Sequence, residues 1–231
     1  MQEPLRICAI VPALDCAATI ASVVEGIREQ GIRAVLVVDD GSSDDTAAQA
    51  EAAGATVLRH ASNRGKGHAL VTGFRWALAR GHERVLTVDA DGQHDPREIP
   101  RLLAAAEEND LVIGRRRILP GTMPLSSFIG NLTSLFWVSL FCGRPCFDAQ
   151  CGYRVYSRRL LERVPLEGGR FETETELLLR AVRLALPVSW TPIRTIYQRG
   201  THPRRTNFRT SSDPLRVIGV VVRSLGYPRA G

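Results

Sequence analysis

Through its first 114 residues the chain alternates short unbroken apolar runs with longer stretches whose apolar positions recur at helical spacing. Arg6-Ile7-Cys8-Ala9-Ile10-Val11 predicts a buried strand stopped by Pro12, and Ala17 to Gln30 predicts a helix with Gly31 as its stop. Ala34 to Val38 is a second strand. It runs into Asp39-Asp40-Gly41-Ser42-Ser43-Asp44-Asp45, a turn that caps a helix through Ala53. Thr56-Val57-Leu58 is a third strand, and Gly67 to Arg80 a third helix. Arg84 to Val88 is a fourth strand, ending in Asp89-Ala90-Asp91-Gly92 before a helix opened by Pro96. Asp110 to Gly114 closes the series. Strands buried on both faces and alternating with helices predict an α/β fold, a mostly parallel sheet with helix cover. In such sheets ligands bind beyond the carboxyl ends of the strands, where these acidic clusters fall.

After Gly114 the rhythm changes. Arg115-Arg116-Arg117 precedes a loop and an apolar-rich helix, roughly Leu125 to Phe141. Asp148 to Tyr156 follows, then a helix from about Thr173 to Leu184 and a strand near Ile193 to Tyr197. Residues 199–212 are a polar, Arg-rich loop, and Asp213 to Leu225 predicts a last, amphipathic helix with Arg216 and Arg223 on its polar side. No linker and no internal repeat divides the 231 residues, so one domain with an elaborated basic C-terminal half is expected.

The net charge of +6 conceals two opposite halves. Residues 1–110 carry 11 basic and 17 acidic side chains, and residues 111–231 carry 19 and 7. With one acidic half, and only Phe208 among the basic residues of the 199–216 loop, a nucleic-acid binder is not expected. Of the 30 basic residues, Lys66 is the only lysine. No targeting segment is evident, and the longest apolar run, Leu132 to Cys142, falls short of the roughly 18 residues of a membrane span. Five cysteines without C-x-x-C spacing read as reduced thiols of a cytoplasmic protein.

Asp89-Ala90-Asp91, at the end of a buried strand, supplies two carboxylates spaced to converge on a hard divalent cation that also takes substrate phosphates. Asp39 or Asp40, on the same sheet edge, could accept hydrogen bonds from a base or ribose. Asn63-Arg64-Gly65-Lys66-Gly67 sets a lysine between glycines at a helix start, where backbone N–H groups and the ammonium suit a phosphate; it lacks the P-loop pattern. Arg116 continues the fifth strand and offers bidentate geometry to phosphate. Asp148 to Arg154 and Phe171 to Glu176 are further candidates, Thr173 and Glu176 also fitting a capping box. His94 stands close to the acidic pair as a supporting residue.

Taken in order, Val11-Pro12-Ala13-Leu14, Val38-Asp39-Asp40-Gly41-Ser42, Asn63 to Gly67, Val88 to Pro96, Gly114-Arg115-Arg116, Asp148 to Arg154, Phe171 to Glu176, Pro192 to Tyr197 and Asn207-Phe208-Arg209 resemble the family 2 glycosyltransferases of GT-A fold. Within them the chain resembles the polyprenyl-phosphate (dolichyl-phosphate) mannosyl- and glucosyltransferases. The resemblance implies a Rossmann-like sheet with helices on both faces, whose residues 1–114 bind a nucleotide sugar and whose residues 115–231 meet the acceptor. It implies that Pro12, Asp39 or Asp40, and Ala90 line the nucleoside. Asp89, Asp91 and Gln93 would hold Mg²⁺ or Mn²⁺, while Arg116 and Arg209 bind phosphates. The acceptor implied is a polyprenyl phosphate met at the inner, anionic face of a membrane; a small hydroxyl acceptor is the alternative and would need Asp148 or Glu174 as general base. A non-catalytic nucleotide-sugar-binding paralogue is the other alternative. Where family members often carry Asn-Glu after the Pro-x-x turn, this chain has Asp15-Cys16, and it shows no transmembrane helix of the kind some relatives carry at their C-terminal end.

Overall fold

A computed structural model describes residues 6–116, 135–143, 145–166 and 172–194, with the single positions 196, 219 and 226. The elements are β1 (Ile7–Ala13), α1 (Ile20–Glu29), β2 (Ala34–Asp39), α2 (Thr46–Ala52), β3 (Thr56–Arg59), α3 (Lys66–Ala79) and β4 (Arg84–Thr87). A 3-10 turn (Pro96–Glu98) leads into α4 (Ile99–Ala105) and β5 (Leu111–Arg116). They continue with α5 (135–142), β6 (Arg154–Ser157), α6 (Arg158–Arg163), α7 (Glu172–Arg183) and β7 (Val188–Ile193).

The strands form one seven-stranded sheet in the order β3-β2-β1-β4-β6-β5-β7. Pairing is parallel except around β6, which runs antiparallel to both β4 and β5. The apolar runs explain the centre: Ile10, Val11, Leu36, Val37, Val38, Val85 and Leu86 are all buried, as strands covered on both faces require. The connections β1→β2 and β2→β3 step outward in one direction, and β3→β4 steps back across them. Right-handed crossovers therefore put α3 on the face opposite α1 and α2. Accordingly α1 packs on α2, whereas α3 packs on α6 and α7.

Three boundaries differ from the sequence pattern. Pro12 lies inside β1, paired with Val38. Ala13 O accepts from Asp40 N and Ile10 O from Val88 N, so the alternation turns the Pro12 nitrogen toward β4, beyond its last residue, Thr87; the missing N–H costs no ladder bond. The strand expected near 193–197 is β7 at Val188–Ile193, an edge strand, which tolerates Pro192. The capping box is absent: Thr173 lies within α7, and Glu176 pairs instead with Arg180 at 2.7 Å. The sequence pattern assigns no element type to Asp148–Tyr156, where β6 forms, because two of its four residues, Arg154 and Ser157, are polar yet buried. The C-terminal helix predicted at 213–225, but for position 219, and most of that at 125–141 lie outside the described residues.

Candidate active site

β1 and β2 end opposite each other, Ala13 against Asp39, and β4 runs parallel to them and stops at Thr87 opposite Ile10, so the polar loops that follow all three share the carboxyl edge of the sheet. The β1–α1 loop is laced to the β2–α2 loop. Asp15 N donates to Ser42 Oγ at 3.0 Å, Ser43 N to Asp15 Oδ1 at 2.8 Å, and Cys16 N to Thr46 Oγ1 at 2.7 Å. Asp15 adopts φ 50°, an unusual backbone for a non-glycine residue. Thr19, which no motif of the sequence marks, donates to Ala90 O at 2.6 Å and joins this loop to the Asp89-Ala90-Asp91 segment.

Asp44 ties the two loops as well, accepting from Ala17 N and Thr46 N at 3.0 Å and from the Thr46 hydroxyl. Partial burial pushes its carboxyl up, but the bonds from Thr46 and Ala17 outweigh it and hold the group below the usual carboxylate range. A depressed folded-state pKa contributes stability above the ordinary value near 4 and loses it as pH falls through the folded value. The lead in urea midpoint of the wild type over Asp44→Asn is therefore expected to shrink between about pH 5 and about pH 3. An unchanged lead across that range would remove Asp44 as the acid-sensitive tie.

Asp39 is the last residue of β2 and Asp40 follows it, and each carboxylate takes hydrogen bonds from the protein. Asp39 is fully buried, with Oδ1 accepting from Ser42 N at 2.8 Å and Oδ2 facing Arg59 Nε at 3.2 Å. Asp40 accepts from His60 and from two backbone N–H groups of the loop before α3.

Asp89 and Asp91 differ sharply. Lys66 Nζ lies 2.6 Å from Asp89 Oδ1 and 3.0 Å from Glu174 Oε2, bridging β4 to α7. His94 Nε2 lies 3.3 Å from Asp89 Oδ2, its ring resting on Tyr153. Burial alone would push Lys66 down and Asp89 up. The charge of each partner overrules this, so Lys66 is held above its ordinary value and Asp89 well below the carboxylate range. Gly152 makes the room: a Cβ there would collide with the Asp89 carboxylate. Asp91, in contrast, is exposed, with Oδ1 accepting from Gln93 N at 3.0 Å, and Gln93 O accepts from Ile196 N at 2.9 Å.

Arg116, at the end of β5, forks onto Asp148 with Nε to Oδ2 at 2.7 Å and Nη2 to Oδ1 at 3.1 Å. Burial would lower the guanidinium pKa, but the Asp148 charge outweighs it and raises it. Asp148 Oδ1 also accepts from Gln150 N and Cys151 N, and its carbonyl accepts from Trp190 Nε1. Arg154 is the residue whose weight the sequence understated. Fully buried in β6, it donates to Ala149 O, Cys151 O and Glu174 O, each at 2.7 Å, and so fixes both the Asp148 loop and the start of α7. A lone arginine between Tyr153 and Val155 in an apolar run was the signal that could have found it. Arg209 lies outside the described residues.

The donor set at the end of β4 is two carboxylates and a carboxamide. Among the described residues no three His, Cys, Asp or Glu side chains converge as a metal cage. The two carboxylates and the carboxamide are oxygen donors, the kind that suit a hard cation taking further oxygens from water and phosphate.

A family model described as glycosyl transferase family 2 matches residues 8–164. The chain belongs to this family. It is 35% identical over 170 residues to an undecaprenyl-phosphate mannosyltransferase of Micrococcus luteus, covering 69% of this chain and 70% of that protein. To a UDP-N-acetylglucosamine–dolichyl-phosphate N-acetylglucosaminyltransferase of Methanococcus voltae it is 30% identical over 222 residues, covering 86% and 88%. Glucosyl-3-phosphoglycerate synthase from Mycobacterium tuberculosis, solved with Mn²⁺, UDP and phosphoglyceric acid, superposes with a TM-score of 0.75 at 26% identity, over 97% of this chain and 80% of that one. The fold is that of the GT-A glycosyltransferases, and this family 2 member is a glycosyltransferase.

Proposed function

We propose that the chain transfers a hexose, with inversion, from a nucleotide sugar of GDP-mannose or UDP-glucose type to a polyprenyl phosphate at an anionic membrane surface. The observation that carries the acceptor is what has become of the two candidate bases. Asp148 is bound through both oxygens by Arg116, and Glu174 through Oε2 by Lys66, so each carboxylate is already engaged by a cation. A phosphate monoester, with a second pKa near 6, is already largely anionic at pH 7 and attacks without a base. The names of the Micrococcus and Methanococcus relatives support the same acceptor chemistry.

Asp91, with Gln93 and Asp89 beside it, would hold Mg²⁺ or Mn²⁺. Such an ion, when bound, neutralises charge on the departing nucleoside diphosphate. The chain's own share is positional. Lys66 and His94 hold Asp89 ionised and fixed, Thr19 fixes the backbone at Ala90, and the Arg116–Asp148 fork holds the acceptor-side loop against β5.

No helix among the described residues is long and apolar enough to cross a membrane. A docking face is consistent with α5: Phe136 and Leu140, one turn apart, are each 62% exposed. Arginines lie over neighbouring rings, Arg115 at 4.1 Å from Phe147 and Arg183 at 5.7 Å from Phe141. Apolar side chains flanked by arginine suit the interface of an anionic leaflet.

The experiment incubates the protein with Mg²⁺, each of GDP-mannose, UDP-glucose and UDP-N-acetylglucosamine, and either a polyprenyl phosphate or 3-phosphoglycerate. Sugar-bearing lipid phosphate is the expected product; transfer to phosphoglycerate alone would overturn the lipid acceptor. In flotation at low salt, the protein is expected to rise with vesicles containing phosphatidylglycerol and to do so several-fold less as Phe136→Asp/Leu140→Asp. Equal flotation of both proteins would remove α5 as the contact.

A further inference from the structure

The carboxylate of Asp40 is filled from within the protein. His60 Nδ1 lies 2.7 Å from Oδ1, Arg64 N donates to the same oxygen at 3.0 Å, and Gly65 N donates to Oδ2 at 2.7 Å. A carboxylate accepts, so Nδ1 is the donor of this bond, and Nε2 lies at hydrogen-bond distance, 3.0 Å, from Thr72 Oγ1. His60 follows β3, Asp40 follows β2 and Thr72 lies within α3; Asp40 is buried and the His60 side chain nearly so.

What this cluster grips is the approach to Lys66. Gly65 stands at φ 98° and ψ 153°, a backbone that in effect only glycine adopts, and Lys66 is the first residue of α3. Asp40 therefore bonds the two N–H groups that set the direction in which α3, and Lys66 with it, leaves the loop. The turn after β2 lies against the same loop: Gly41, at φ 82°, approaches the Ser62–Asn63 backbone so closely that a Cβ would collide with it. Through Thr72, His60 holds the helix itself as well as the loop before it.

We infer that His60 and Asp40 are positioning residues that aim Lys66 at Asp89 and Glu174. An ammonium on a four-carbon stem does not stay on two carboxylates unless its backbone origin is fixed, because its rotamer entropy opposes the pairing. The His60–Asp40 pair fixes that origin from β2, β3 and α3 at once. On this account Asp40 serves the site through Lys66 and not by touching a nucleoside. The hold on Lys66 exists in the free protein, so it is measured without donor, metal or acceptor, and its failure is distinct from failure of the transfer reaction.

Lys66 is the only lysine, so ¹⁵N-lysine labelling gives one side-chain ammonium resonance. An amine-selective acylating reagent, used at fixed pH with peptide mass mapping, reads Lys66 separately from the α-amino group. In the wild type the ammonium cross-peak is expected to be protected from exchange, and acylation at Lys66 to run at least about tenfold slower than in the unfolded chain. His60→Ala and Asp40→Asn should each lose the cross-peak and acylate several-fold faster. His60→Asn, whose amide N–H replaces Nδ1–H, should restore most of the protection, which a merely space-filling histidine would not predict. Thr72→Val, which removes only the far hydroxyl, supplies an intermediate rate where Asp40→Asn fails to fold. Wild-type protection in folded His60→Ala and Asp40→Asn overturns the inference. Loss in Asp40→Asn alone overturns the part assigned to His60.

Discussion

Asp91→Ala is expected to leave a protein of near wild-type stability that has lost sugar transfer by at least about 10³-fold, roughly 4 kcal/mol of transition-state stabilisation. The stability half follows from exposure. Asp91 lies on the solvent side of its turn, and surface substitutions of this kind usually fall within about 0.5 kcal/mol. The activity half follows from placement: Asp91 comes after β4 at the carboxyl edge of the sheet, exposed and beside Gln93, where it would hold the cation of a metal-bound diphosphate. Asp89→Ala provides the contrast. It strips Lys66 of one partner and is expected to cost roughly 1–3 kcal/mol of stability besides activity. Urea midpoints and transfer rates of the two variants, measured side by side, separate the roles. Asp91→Ala with full metal-dependent transfer would sink the assignment of Asp91.

Much of the scaffold for this site is legible in the sequence because the signals are local. The runs Ile7–Val11, Ala34–Val38 and Arg84–Val88 are buried parallel strands, and acidic clusters at their ends mark the edge where the site forms. Pairings between distant residues are not legible in this way. Nothing near Lys66 announces Glu174, 108 positions later; a lysine between glycines suggests a phosphate ligand, and only the fold shows the two carboxylates set against it. Arg116 and Asp148 each look like free site residues, one for phosphate and one as base, until the antiparallel insertion of β6 brings their loops together. The aspartates after β2 look alike as sequence, yet one is buried against Ser42 and Arg59 and the other grips the loop before α3. Local chemistry thus names the residues, and tertiary pairing decides what each is free to do.

Arg154→Met is expected to destabilise the fold by about 3–5 kcal/mol, the range for breaking a buried, hydrogen-bonded charge. Methionine fills a similar volume, so the loss is not chiefly one of packing. Three carbonyls, on Ala149, Cys151 and Glu174, lose their donors at once, and the Glu174 carboxylate loses a cation 3.9 Å away. For a domain of this size that corresponds to a fall in Tm of roughly 6–20 °C. Apolar replacement of a whole buried ion pair can be neutral or stabilising, but here the carbonyls remain after the charge has gone. The double variant Arg154→Met/Glu174→Gln tells the two causes apart. Recovery of most of the stability would assign the cost to the unpaired carboxylate, and no recovery would assign it to the carbonyls. Either way the loss should reach the site, because the same guanidinium anchors the loop carrying Asp148 and the helix start carrying Glu174. Arg154→Met within about 1 kcal/mol of wild type would show that this anchor is dispensable.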